Sequence, residues 1–258
     1  MQPHIECTTG DIAPIVLLPG DPKRVEVIGS FLDTYQVVAD NREFRTITGT
    51  YEGIPVSVTS TGIGCPSTAI AVEELIACGA KTLIRVGTCG GAWREDIQPG
   101  SVIIPTACIR DEGTTIEFIA QGFPAVADGE VVAALVASAK ERNVAWYKGI
   151  NRTHDAFYAP DRSVAKWGEF YLDPRFKDVP SPILSSEMEA SALFLIASLR
   201  GVRAGAILAV DAEPTPLKAM ALREDYLPNI AYKSKDVSVQ AKETMIRTAL
   251  NALKYLNG

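Results

Sequence analysis

Histidine is scarce in this sequence: only His4 and His154 occur, and no spacing of histidine, cysteine or acidic residues builds a zinc site. There is no G-x-S-x-G nucleophile elbow and no glycine-rich dinucleotide fingerprint after a strand, which argues against serine hydrolase and nicotinamide chemistry. The five cysteines (Cys7, Cys65, Cys78, Cys89, Cys108) are odd in number, scattered and without a C-x-x-C pair. That usage fits reduced thiols in a cytoplasm rather than a disulfide framework. No uninterrupted apolar run is long enough to span a bilayer, and the opening MQPHIECTTGD lacks the basic head and apolar stretch of a signal peptide. Positive charge is not in excess either. The formal net charge is -6, so no overall basic field draws a nucleic-acid backbone. These absences leave the expectation of a cytoplasmic enzyme acting on a small ligand, without membrane or nucleic-acid partners.

The 258 residues, 47% hydrophobic and 22% charged, have ordinary globular composition and suffice for one large α/β domain, 1–258. Apolar runs alternate with helical patterns. IVLLPG (15–20) reads as a buried strand, and the helix after it starts with Asp21 as N-cap and Pro22 in the first turn. Strands are expected over 44–51 and 54–60, joined at Glu52-Gly53. A helix is expected over 66–78, with strands at 82–87 and 101–105. Further helices are expected at 129–142, 187–199 and 237–256, with a core strand at 203–211. The stretches 161–186 and 213–235 show no clear period and read as long loops, where ligands are met in α/β proteins.

Phosphate requires fixed positive charge and backbone N–H donors in a tight turn. Three places offer them: LPGDPKR with Gly20 and Arg24, DNREFR with Arg42 and Arg45 around Glu43, and IRVGTCGG with Arg85 before Gly87 and Thr88. Arg24 alone reads more readily as a solvated helix residue than as a ligand. Arg85 does not: between Ile84 and Val86 on a buried strand it must be paired or bind an anion, because an unpaired buried charge costs several kcal/mol, roughly. In SSEMEAS, Glu187 and Glu189 open an apolar helix; they serve either as dipole-complementing charge or as a carboxylate for two ribose hydroxyls with Met188 beside the sugar. Cys89 lies in a glycine-rich turn without a histidine nearby in sequence, so it reads as a small buried thiol rather than a nucleophile.

Taken in order, PHI near the start, LPGDPKR, NREF, STGIGCPSTAIAVEEL, IRVGTCGG, FPAVAD, DAFY and SEMEASAL resemble the nucleoside phosphorylases that include uridine phosphorylases and hexameric bacterial purine nucleoside phosphorylases. The resemblance runs from residue 4 to about 212. It implies a three-layer α/β/α sandwich with a mixed, partly barrel-like central sheet, and cleavage of a nucleoside by phosphate to free base and ribose 1-phosphate. It implies phosphate binding by Gly20, Arg24, Arg85 and Thr88, with Arg42 reaching the phosphate from a neighbouring subunit. Met188 and Glu189 would hold the ribose, His4 would reach its 5′-hydroxyl across the interface, and Phe157 would stack on the base. Such sharing implies a homo-oligomer, a hexamer built from dimers. No organic cofactor is implied, since inorganic phosphate is the co-substrate. Some relatives carry a monovalent cation, a structural potassium, at the dimer interface, and Glu43, Ile63 and Ser67 match those positions.

The base pocket departs from pattern. After DAFY, uridine phosphorylases place a glutamine and an arginine for the uracil carbonyls, whereas this chain reads APDRS with Asp161 and Arg162. Purine-cleaving relatives use an aspartate after the late core strand, and AVDAEP offers Asp211 there, unless that residue merely caps the strand end. Arg85, Glu189 and Asp211 are thus the expected catalytic set, with Phe157, Arg162 and Asp211 at the base. Uridine is favoured slightly over a purine nucleoside such as inosine. A non-catalytic nucleoside-binding protein of the same fold is the third reading.

Overall fold

Strand β1 (Ile15–Leu18) is buried at every position and lies between two parallel neighbours, β4 (Ile54–Thr59) and β5 (Thr82–Thr88). A strand sandwiched in this way reads as a continuous apolar run, as IVLL does. The computed structural model describes residues 1–158, 162–176, 178–217 and 235–256. The remaining strands are β2 (Thr34–Asn41), β3 (Phe44–Tyr51), β6 (Val102–Asp111), β7 (Ala125–Val126), β8 (Trp146–His154), β9 (Ile183–Glu187) and β10 (Arg203–Ala209). All ten belong to one mixed sheet in the order β2-β3-β4-β1-β5-β10-β6-β8-β9, with β7 on β6. Strand β6 pairs with β10 through Val102 and Ile103, then with β7 through Ala107 and Cys108. Its register against β8 shifts between Pro105 and Ala107, as a proline without an N–H favours.

Helices cover both faces, which is the expected three-layer α/β/α arrangement. On one face α2 (Cys65–Ala77) and α6 (Ala190–Arg200) bury Leu75, Leu193, Phe194 and Ile196 against the sheet. On the other, α1 (Pro22–Gly29), α4 (Gly129–Glu141) and α7 (Lys235–Asn251) bury Val25, Leu135, Met245 and Leu250. Each fully buried side chain of this size contributes roughly 1.5–3 kcal/mol. Short α3 (Thr115–Phe118) and α5 (Arg162–Leu172) complete the helices numbered here. Asp21 caps α1 as expected, its carboxylate accepting the Lys23 N–H at 2.9 Å. Among the described residues no helix is long and apolar enough to cross a membrane.

The structure corrects several expected elements. The stretch 161–186 is no long loop, since it carries α5 and β9. Helix α5 buries Val164 beside Trp93, Ile183 and Leu217, a contact set from distant chain segments that local periodicity does not reveal. Strand β2 was not expected because it is an edge strand with most positions exposed, and β8 because its fully buried positions are polar: Asn151, Arg152 and Thr153. The helix expected over 187–199 begins at Ala190, and Glu187 instead ends β9. The closing helix passes into a 3-10 turn at Ala252–Tyr255. Of the expected loop over 213–235, residues 218–234 lie outside the described part.

The closing turn is tied to α4 through Glu141, whose carboxylate accepts bonds from Lys254 at 2.7 Å, Tyr255 at 2.5 Å and Asn251 at 3.2 Å. Lys254, then Tyr255 and Asn251, pull its pKa from 4.5 down to about 2. A depressed carboxylate stabilises the fold above its unfolded pKa and loses that contribution as pH falls through the folded value. Glu141→Gln should therefore lower Tm near neutral pH, and the gap from wild type should close as pH falls from about 4.5 towards about 2. Thermal melts across that range check it.

Candidate active site

The C-terminal ends of β1, β5 and β10 lie side by side, with Leu18 in register with Arg85 and Thr88 with Ala209. Ligands of open parallel sheets bind beyond such ends. Arg85 is 5% exposed and occupies an otherwise apolar strand, so it must be matched by charge. The match comes from the β9–α6 junction: Arg85 Nε lies 2.8 Å from Glu187 Oε2, and Nη2 pairs with Glu189. Burial disfavours the guanidinium charge, but Glu189 and Glu187 outweigh it and raise its pKa. Nη1 has no hydrogen-bond partner among the described residues. Gly87 makes room for the group, since a Cβ there would stand 2.7 Å from Arg85 Cζ.

The two glutamates have separate duties. Glu187 is saturated: Oε1 accepts from Asn151 at 2.9 Å and Thr153 at 2.6 Å, while Oε2 accepts the N–H groups of Glu189 and Ala190, each at 2.9 Å. A carboxylate on the first turn of α6 satisfies donors that the helix leaves open and complements its dipole. Helix-terminus charge, one of the two readings of the pair, thus belongs to Glu187. Glu189 accepts the Gly64 N–H at 2.7 Å, and Gly64 turns that amide inward from a φ of 94°. Burial pushes the Glu189 carboxyl up; Arg85 opposes and Glu187 adds to the shift. The half-buried Met188 lies between the two glutamates.

Arg24, one turn into α1, donates to the Val86 carbonyl at 3.2 Å. Its pKa is lowered, first by burial and then by the positive charge of Arg85, while Asp21, Asp211 and Glu189 oppose. Arg24, Arg85, Glu189 and Asp211 therefore share one electrostatic neighbourhood, with half-buried Gly20 and Thr88 at the adjoining strand ends. Asp211 is buried beyond β10 and faces α7, where Ser238 donates at 3.4 Å and Lys242 Nζ lies 3.6 Å away. Cys89 is buried and donates to the Ala209 carbonyl at 3.5 Å, as a packing thiol does.

A second group gathers at the β2–β3 turn. Arg42 is exposed there with a φ of 56°, and His4 is held by Glu74, with Nδ1 at 2.6 Å from Oε1. The Ser67 hydroxyl donates to Glu43 at 2.8 Å and, chief among several causes, holds the Glu43 carboxyl below its ordinary value; Arg42 and His4 add to this. Glu43, Ser67 and the adjacent Ile63, which is 78% exposed, offer oxygen ligands of the kind hard cations take. Among the described residues no group of three His, Cys, Asp or Glu side chains is placed to hold a metal. Phe157 is exposed and packs edge-on with Tyr158 at 4.9 Å. Asp161 and the Arg162 side chain lie outside the described residues.

Sequence reasoning missed Asn151, Thr153, Gly64, Ser238 and Lys242, which act through other residues rather than through a motif. The one available signal was a run of polar residues, Asn151-Arg152-Thr153, flanked by apolar Ile150.

A pair of guanidinium groups beside a buried carboxylate, near the ends of parallel strands in an α/β fold, has the charge and donors that a small anion requires. Comparison gives the lineage. The chain belongs to the phosphorylase superfamily, whose family model matches residues 14–244. A uridine phosphorylase of Thermococcus kodakarensis is 46% identical over 215 residues, covering 82% of this chain and 77% of the relative. A guanosine phosphorylase of Halorubrum lacusprofundi is 37% identical over 257 residues, 99% of both chains. The crystal structure of a uridine phosphorylase from Vibrio fischeri superposes with a TM-score of 0.81 at 31% identity, covering 98% of this chain and 96% of that one.

Glu187→Ala should cost about 3–5 kcal/mol of stability, because it uncaps α6 and leaves Arg85 with one counter-charge. Urea unfolding measures this directly. A wild-type midpoint and slope would contradict the assigned role.

Proposed function

We propose that this chain is a nucleoside phosphorylase, cleaving a nucleoside with inorganic phosphate to free base and ribose 1-phosphate, with uridine as the leading substrate. The observation that carries the reading is buried Arg85, paired with Glu189 yet with Nη1 lacking a hydrogen-bond partner among the described residues, while its positive charge acts on Arg24. An anion beside both charges relieves their repulsion, and the unsatisfied Nη1 of Arg85 suits a phosphate oxygen. Thr88 and Gly20 complete the cradle. Glu189 would accept two ribose hydroxyls, with Met188 against the sugar and Phe157 against the base.

In the reaction a phosphate oxygen bonds to the anomeric carbon while the C–N bond breaks, and the bonding pair leaves with the base. Positive charge grows on the sugar ring in between, where the dianion and Glu189 stabilise it. No covalent enzyme intermediate is needed. The grouping of His4 and Arg42 around Glu43 supports sites shared between subunits, and hence a dimer-based homo-oligomer, a hexamer in this reading. Glu43, Ser67 and Ile63 would hold a monovalent cation at that interface. The buried free cysteines fit a cytoplasmic setting. Purine phosphorolysis is the second reading, supported by buried Asp211 at the base end and by the guanosine-cleaving name of the full-length relative.

The deciding experiment incubates the protein with uridine and inosine, with and without phosphate, and identifies the released bases. Release that ignores phosphate would refute the phosphorylase reading. Arg24→Ala should raise the KM for phosphate about 10- to 100-fold, the loss of a charge-assisted contact, while the fold survives. Arg42→Ala and Glu189→Gln chains should each turn over slowly alone. Oligomers mixed from both should exceed either parent, because some sites then draw both intact residues; mixing verified by mass with no gain would refute sharing.

A further inference from the structure

Asp211 stands where the base is expected, yet its carboxylate is already engaged. Ser238 and Lys242 are one turn apart on α7 and so face the same way. Lys242 Nζ donates to Ser238 Oγ at 2.9 Å and lies 3.6 Å from Asp211 Oδ2, which Ser238 also approaches at 3.4 Å. The helix carrying them is anchored by Met245, Ile246, Ala249 and Leu250, all essentially buried, so the backbone from which Lys242 extends is fixed. Asp211 itself is 4% exposed, so its partners on α7 fix the direction its carboxyl group faces.

Two kinds of base ask different things of this residue. A purine departs more readily when a ring nitrogen receives a proton, which an aspartic acid can give and an aspartate cannot. Uracil departs as an anion spread over two carbonyls, and it gains nothing from an acid at that point. We propose that Lys242 is a positioning residue for base preference: with Ser238 it holds the Asp211 carboxyl group turned to α7 and away from a departing purine. This rests on the phosphorylase reading above. It accounts for a chain that has the aspartate of a purine-cleaving site while its relatives include uridine phosphorylases.

The test measures kcat and KM for uridine and inosine at saturating phosphate, using the intact oligomer. Lys242→Met should raise the inosine-to-uridine ratio of kcat/KM by at least about tenfold, the scale of removing one neighbouring charge. The gain should lie in kcat rather than KM. Lys242→Arg, which keeps the cation, should restore the wild-type ratio. Lys242→Met combined with Asp211→Asn should lose the gain. If Lys242→Met does not fold, Ser238→Ala should move the ratio in the same direction by less. An unmoved or lowered ratio in a folded variant, or a gain that survives Asp211→Asn, overturns the inference alone. No cleavage of either nucleoside by the wild type overturns the phosphorylase reading and this inference together.

Discussion

A positive charge buried in an apolar strand is the constraint around which this protein is arranged. Arg85 lies on β5, at the centre of the sheet between β1 and β10, with only 5% of it exposed. Its two counter-charges come from two residues far along the chain, Glu187 at the end of β9 and Glu189 at the start of α6. Closing that pair requires the sheet to be complete from β5 to β9. Glu187 then spends its second oxygen on the N-terminus of α6, and Asn151 and Thr153 on β8 hold its first. The site is therefore a condition of the fold rather than an addition to its surface. Preorganisation of this kind places charge before the substrate arrives, so little rearrangement is needed during reaction.

The same network separates rigid duties from adjustable ones. Arg85, Glu187 and Glu189 are locked by one another and by backbone amides. Arg24 enters from α1 with a hydrogen bond to the Val86 carbonyl, and Asp211 leans on α7. Changes on α1 or α7 can move Arg24 or Asp211 without disturbing the central pairing. The edge group of His4, Arg42 and Glu43 lies in the N-terminal segment and at the β2–β3 turn, where Ile5 and Phe44 beside it join the same apolar core as Ala190 and Phe194 of α6.

Much of this was legible in the sequence because the signals were local. IVLL and LIRV read as buried strands, Asp21-Pro22 as a helix start, and an arginine between isoleucine and valine as a charge demanding partners. The order of short motifs gave the family. The parts that stayed hidden depend on distant contacts. WYKGINRTH has no apolar alternation because β8 buries amide and hydroxyl groups against Glu187, and no window of sequence shows that partner. Helix α5 buries Val164 against Trp93, Ile183 and Leu217, which are distant in the chain. Glu187 and Glu189, two positions apart, looked alike until the chain was seen to change from strand to helix between them. Their division of labour is a matter of direction, and composition is silent on direction.

Gly87 has the smallest side chain in β5 and the least room for change. The volume that a methyl group would occupy is filled by the Arg85 guanidinium folded above it. For anyone reshaping the pocket, this inverts the usual advice that small residues are the safe places to add bulk. Substituent space is better sought at Met188 or Phe157, whose side chains already reach the solvent side. Growth at Gly87 would press directly on the charge that binds the two halves of the site together.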